Sequence, residues 1–121
     1  MTSAVQMLPP RRFPLNKNMS GVFKADGTLT VTLITDTFES WDINLTGVFT
    51  DDPDSAILVP QANLYQDLVS PTQWRGGTYS GNRDLSTAPI HLDRNESLIC
   101  VWSGGTAGRT GTLVVSGFIW R

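Results

Sequence analysis

The chain is poor in most of the residues that simple chemistry draws on. Its 121 residues include one cysteine and one histidine. A lone thiol permits no intrachain disulfide and no thiolate zinc site. Cys100 sits within the apolar run Leu98–Trp102, so it reads as a small buried hydrophobe and not as a reactive thiol. Charged residues make up only 17%, against ~25% in ordinary soluble domains. A surface with so little charge suits one partly occupied by partners.

Basic residues are scarce and scattered. Nine Lys and Arg face eleven Asp and Glu, and Arg11-Arg12 is the only adjacent basic pair. A nucleic-acid footprint needs clustered Lys and Arg, so no nucleic acid is expected as a partner. Polybasic membrane attachment falls on the same ground. No apolar run approaches the ~18 residues of a membrane span. The N-terminus also lacks the charged start and apolar core of a secretory signal. The expectation is synthesis in a cytoplasm, with no export by that route and no membrane partner.

Catalytic patterns are missing too. His91 lies between Ile90 and Leu92 in a strand-like run, so its side chain should point away from theirs. No Gly-x-Ser-x-Gly elbow accompanies it. Asp51, Asp52 and Asp54 crowd one turn around Pro53, without the spacing of a calcium loop. The glycine-rich stretch Gly104–Gly111 joins two strand-like runs, whereas a phosphate cradle needs a strand-to-helix turn. No enzyme, cofactor or metal is predicted.

Helical periodicity is absent; Gln61–Leu68, with Leu64 and Leu68, comes nearest to it. What the chain has is β-grammar. Leu29, Val31 and Leu33 alternate with threonines. Trp41, Ile43, Leu45 and Phe49 alternate with Asp42, Asn44 and Thr46. Asp26-Gly27 signals a hairpin turn. Further strands are predicted at Gly21–Lys24, Ile57–Val59, Ala62–Val69 and Ile90–Leu92. Pro71–Asp84 is polar and glycine-rich and reads as an ordered surface loop carrying Trp74 and Tyr79. Seven or eight short strands with turn signals between them suggest a sandwich or a barrel, and an antiparallel β-sandwich is the expected fold.

The two ends stand out. Residues 1–18 contain Pro9, Pro10 and Pro14, which cannot donate to a ladder. They also contain Val5, Met7, Leu8, Phe13 and Leu15, so the stretch reads as an extended arm strapped onto this domain or a neighbour, ahead of one sandwich domain at 19–121. At the other end, Ser97–Trp102 and Thr112–Trp120 read as a hairpin around the glycine-rich loop. Both runs are apolar on both faces, where a sheet wet on one side alternates apolar with polar. Ile99, Val101, Phe118 and Trp120 should therefore be covered, by another subunit or by the protein's own arm folded back over them, and with Phe13 of the arm they are the expected partner interface. Arg11 and Arg12 are expected to anchor the arm to carboxylates. Trp74 and Tyr79 are the candidates for an exposed ligand contact, as on a carbohydrate-binding surface.

One resemblance runs from Trp41 to Phe118. Trp41-Asp42-Ile43 opens one strand, and Ala62-Asn63-Leu64-Tyr65 forms another. Gly81-Asn82-Arg83-Asp84-Leu85-Ser86 makes a polar loop, and Pro89-Ile90-His91-Leu92 leads to an acidic turn. Leu98–Trp102 with Gly104-Gly105 precedes a closing strand that ends Ser116-Gly117-Phe118. This order resembles small jelly-roll structural proteins of tailed-bacteriophage virions, of the capsid decoration (cement) or minor tail type. The resemblance implies a jelly-roll-like sandwich and a non-enzymatic virion component. It implies self-association, with a trimer as the expected state, and binding to major capsid or other virion proteins. A minor tail or fibre role, or receptor recognition through Trp74 and Tyr79, is the alternative.

Overall fold

The computed structural model describes residues 11–51, 60–80 and 83–121. They form nine strands: β1 (Arg12–Val22), β2 (Leu29–Ile34), β3 (Ser40–Thr50), β4 (Gln61–Gln66), β5 (Trp74–Ser80), β6 (Arg83–Ser86), β7 (Ile90–Leu92), β8 (Ser97–Ser103) and β9 (Thr110–Trp120). One 3-10 turn, Pro71–Gln73, precedes β5. The first sheet runs β1-β9-β3-β6, with β7 beside β6 on the same edge of β3, and the second runs β2-β8-β4-β5. All pairings are antiparallel. The protein is an all-β, two-sheet antiparallel β-sandwich.

Alternation builds the core. Leu29, Val31 and Leu33 of β2 face inward between threonines, and Leu98, Cys100 and Trp102 of β8 do the same. From the first sheet, Leu15, Ile43, Val48, Leu113 and Val115 meet them. Phe23 packs edge-on against Trp102, with ring centroids 6.2 Å apart at 75°. Cys100 is fully buried, and burial pushes its thiol pKa up.

Two turn signals act differently from expectation. Asp26-Gly27 does reverse the chain. The Thr28 N–H and hydroxyl both donate to Asp26 Oδ1, at 3.1 and 2.7 Å. Yet β1 and β2 belong to opposite sheets, so this is a sheet-to-sheet corner and not a hairpin. The same correction applies to the C-terminal run. β8 lies in the second sheet and β9 in the first, and the loop between them crosses the sandwich. The two corners brace each other: the Gly105 N–H donates to the Gly27 carbonyl at 3.0 Å. A side chain at Gly105 would run into the Phe23 ring. Tight, glycine-rich loops can thus span two layers as readily as they join neighbours.

A β-bulge changes which side of β3 is buried. Ile43 pairs with Gly117 and Leu45 with Ser116, so Asn44 is an extra residue. Trp41 and Ile43 face inward before it, and Thr46 and Val48 after it. Leu45 and Phe49, expected on the Trp41 face, lie on the other one. Gly117 makes the bulge possible, because a Cβ there would collide with the Asp42 carbonyl oxygen.

Part of the predicted arm is a strand. Residues 12–18 are the first half of β1 and pair along β9, Arg12 opposite Trp120 and Asn18 opposite Val114. Pro14 is tolerated because β1 is an edge strand, with one side free of ladder bonds. Residues 1–10, the predicted strand Ile57–Val59 and the turn residues Asp52–Asp54 lie outside the described residues. The predicted loop Pro71–Asp84 instead holds β5 and part of β6. Two bulges interrupt the β4–β5 pairing, and Gly76 takes a positive φ of 133°. Both features hide the alternation that would mark a strand.

Candidate functional site

The cross-sheet loop separates residues that the sequence grouped together. Ile99 and Val101 project from the outer face of the second sheet, while Phe118 and Trp120 project from the outer face of the first. All four are half-buried. They form two surfaces on opposite sides of the sandwich, not one.

The surface on the first sheet is polar and aromatic. Asp42 of β3 stands beside Phe118 of β9 on one side and His91 of β7 on the other. His91 Nδ1 lies 2.7 Å from Asp42 Oδ1, and its Nε2 lies 2.8 Å from Asp93 Oδ1. The Trp120 indole N–H donates to Asp42 Oδ2 at 2.5 Å. Hydrogen bonding to Asp42, then to Asp93, raises the His91 pKa. The His91 bond, with help from Trp120, lowers that of Asp42 against the opposing effect of burial. Both imidazole nitrogens are thus engaged by carboxylates. The arrangement is a charge clamp joining β3, β7 and β9; no described hydroxyl or thiol hydrogen-bonds to the imidazole.

The arginines and Phe13 have contacts within the chain itself. The Arg12 guanidinium lies 4.2 Å from the Phe118 ring centroid, so its described partner is aromatic and not a carboxylate. Arg11 exchanges two backbone hydrogen bonds with Arg121, both 3.0 Å. Phe13 sits opposite Ile119 and packs against the protein's own core. Arg121 covers its ring at 4.9 Å and forms an ion pair with Glu39 at 3.2 Å. β1 therefore extends the sheet beside β9 and does not lie over its outer face. A groove of about 460 Å³ opens where the edges of β1 and β2 meet, lined by Lys17, Met19, Ile34, Glu39 and Trp41 among others.

The surface on the second sheet carries a cross-strand row. Thr32, Ile99, Tyr65 and Trp74 stand side by side on β2, β8, β4 and β5. Thr30, Val101 and Asn63 form the next row. Trp74 is 49% exposed, and its indole N–H donates to Asn63 Oδ1 at 3.1 Å. Arg75, the extra residue of a bulge, is held by three acceptors. Its Nε donates to Gln66 Oε1 at 2.8 Å, while its two terminal nitrogens donate to the Trp74 carbonyl and Gln73 Oε1, each at 3.2 Å. The Tyr79 side chain lies outside the described residues.

The sequence therefore brings Trp74 into view but not its setting. Asn63, Tyr65, Gln66 and Arg75 carry no motif, and only the β4–β5 register unites them. The outward direction of His91 is legible from Ile90 and Leu92. The Asp42–Trp120 bond is not, because residues 78 apart meet only through the β3–β9 register.

Among the described residues, no group of three or more His, Cys, Asp or Glu side chains could hold a metal ion. No helix among them is long and apolar enough to cross a membrane. The fold and these surfaces define a small antiparallel β-sandwich with two decorated outer faces. The sequence matches no protein-family model, no curated protein and no solved structure.

Proposed function

We propose that the protein is a non-enzymatic structural component of a tailed-phage particle, most simply a capsid decoration protein that self-associates and binds coat subunits. The observation that carries this reading is the pair of outer faces. Each presents half-buried apolar or aromatic side chains: Ile99, Val101 and Tyr65 on one, Phe118 and Trp120 on the other. Burial of such area at a partner contributes about 25 cal/mol per Å², repeated at every symmetry-related contact. The strand order supports a jelly-roll-like assignment. Every connection except β4–β5 and β6–β7 crosses between sheets, which is the wrapping two interleaved Greek keys require. Light scattering tests the self-association. An oligomer that Ile99→Glu or Trp120→Asp disperses supports it, and a monomeric wild type opposes it.

A second reading, recognition of a receptor glycan, is favoured by Trp74. This half-exposed ring spends its only donor on Asn63 and offers a ligand its apolar face alone. Loss of glycan binding in Trp74→Ala would be its signature.

A further inference from the structure

We propose that Trp74 and Arg75 form a binding site for an acidic glycan, with the indole face receiving a pyranose ring and the guanidinium receiving the carboxylate of a hexuronic acid unit. The proposal rests on the glycan-recognition reading and names its ligand class.

A guanidinium has five N–H donors and no acceptor. Nε donates to Gln66, and one donor on each terminal nitrogen is used by the Trp74 carbonyl and Gln73. Two donors remain, one on each terminal nitrogen. A ligand carboxylate can take either of them as a charge-assisted hydrogen bond.

The charge is also unmatched at close range. All three acceptors are neutral amide or peptide oxygens. Among the described residues no carboxylate forms an ion pair with Arg75. Its link to Glu96 passes through the Gln66 amide, whose N–H group donates to Glu96 Oε1 at 3.2 Å. The guanidinium is held in place without being neutralised, so a ligand carboxylate meets a cation that is already oriented.

Two features assign the ligand to the sugars. Trp74 has no free N–H to read a peptide backbone, and a flat aromatic face suits the C–H-lined face of a pyranose. Asn63 fixes the indole through its carbonyl oxygen, and among the described residues its NH₂ group has no acceptor. It remains a donor for a ring hydroxyl. The bulge at Arg75 inserts one residue between the pairs Leu64–Gly76 and Tyr65–Trp74, the kind of irregularity that re-aims a side chain beside a binding surface.

The test is calorimetric titration of the full chain with tetragalacturonate, its neutral methyl ester and a tetraglutamate peptide. Tetragalacturonate should bind about tenfold more tightly than the ester, the size of one charge-assisted hydrogen bond. Arg75→Gln should erase that difference while leaving the melting temperature near wild type. Trp74→Ala should weaken both sugars. Equal affinity for acid and ester would overturn the role of Arg75 and leave sugar stacking in place. Binding of neither sugar would overturn the glycan reading as well. Tighter binding of the peptide than of the uronate would move the site to an acidic protein partner and overturn the assignment to sugar.

Discussion

Trp120 and His91 hold opposite oxygens of one carboxylate: the indole N–H donates to Asp42 Oδ2, while the imidazole Nδ1 lies 2.7 Å from Oδ1. The C-terminal strand is thereby tied to β7 through β3, which lies between them.

This clamp should give stability a pH dependence. The folded His91 pKa is raised, chiefly by Asp42 and then by Asp93. Its contribution is complete below the unfolded value of about 6.5 and is lost as pH rises through the folded value. Asp42 is shifted the other way, so its contribution holds above 3.8 and is lost as pH falls through its lowered folded value. The clamp is therefore strongest between those limits. His91 and Asp42 are about half exposed, so solvent screening keeps the effect at about 1 kcal/mol or less. The melting temperature of His91→Gln should fall furthest below wild type near about pH 5.5, with the gap narrowing as pH rises through the folded His91 value. A gap constant across that range would contradict the clamp. In Asp42→Asn, NMR should find His91 titrating at lower pH than in wild type.

Thr46 offers a gain in stability. It is fully buried, and its hydroxyl has no hydrogen-bond partner. The bulge at Asn44 turns it toward the core, where an unsatisfied polar group costs about 1–3 kcal/mol. Thr46→Val keeps the shape and removes the hydroxyl. Denaturant unfolding should show stabilisation by about 1 kcal/mol. A destabilised variant would mean that the hydroxyl is satisfied.

Glycines at two close approaches should differ from one in open space. Gly117→Ala places a methyl against the Asp42 carbonyl, and Gly105→Ala places one in the Phe23 ring. Gly108 has φ +84° with nothing within 4 Å of its would-be Cβ. Its alanine variant should cost only the backbone term, about 1–2 kcal/mol. Gly117→Ala should cost more, about 2–4 kcal/mol, because rigid backbone cannot move aside as a side chain does. Chemical denaturation of the three variants gives the order. Equal losses at Gly108 and Gly117 would deny the close approach.

Local alternation made β2, β8 and the inward positions of β9 legible, since Leu29–Leu33, Leu98–Trp102 and Leu113–Val115 each keep a period of two. The partner of each strand was not legible. Asp26-Gly27 and Gly104–Gly111 report that the chain turns, and the same residues serve a hairpin or a crossing between layers. The Asn44 bulge flipped the faces of Leu45 and Phe49, because one inserted residue reverses every side chain beyond it. Edge strands were the hardest to see. β1 contains Pro14 and β5 contains two bulge residues, so neither alternates cleanly. Of the candidate sites, Trp74 and the outward His91 were visible. Asp42 with Trp120, and Arg75 with Gln66, exist only once the register is set.

The proposed attachment of this sandwich to a phage shell can be read by sedimentation velocity of the full chain at micromolar concentration with shells that lack it. Saturable co-sedimentation at a fixed ratio to coat subunits is expected, with excess protein running as an oligomer. A chain that stays monomeric and remains behind when the shells sediment would contradict it.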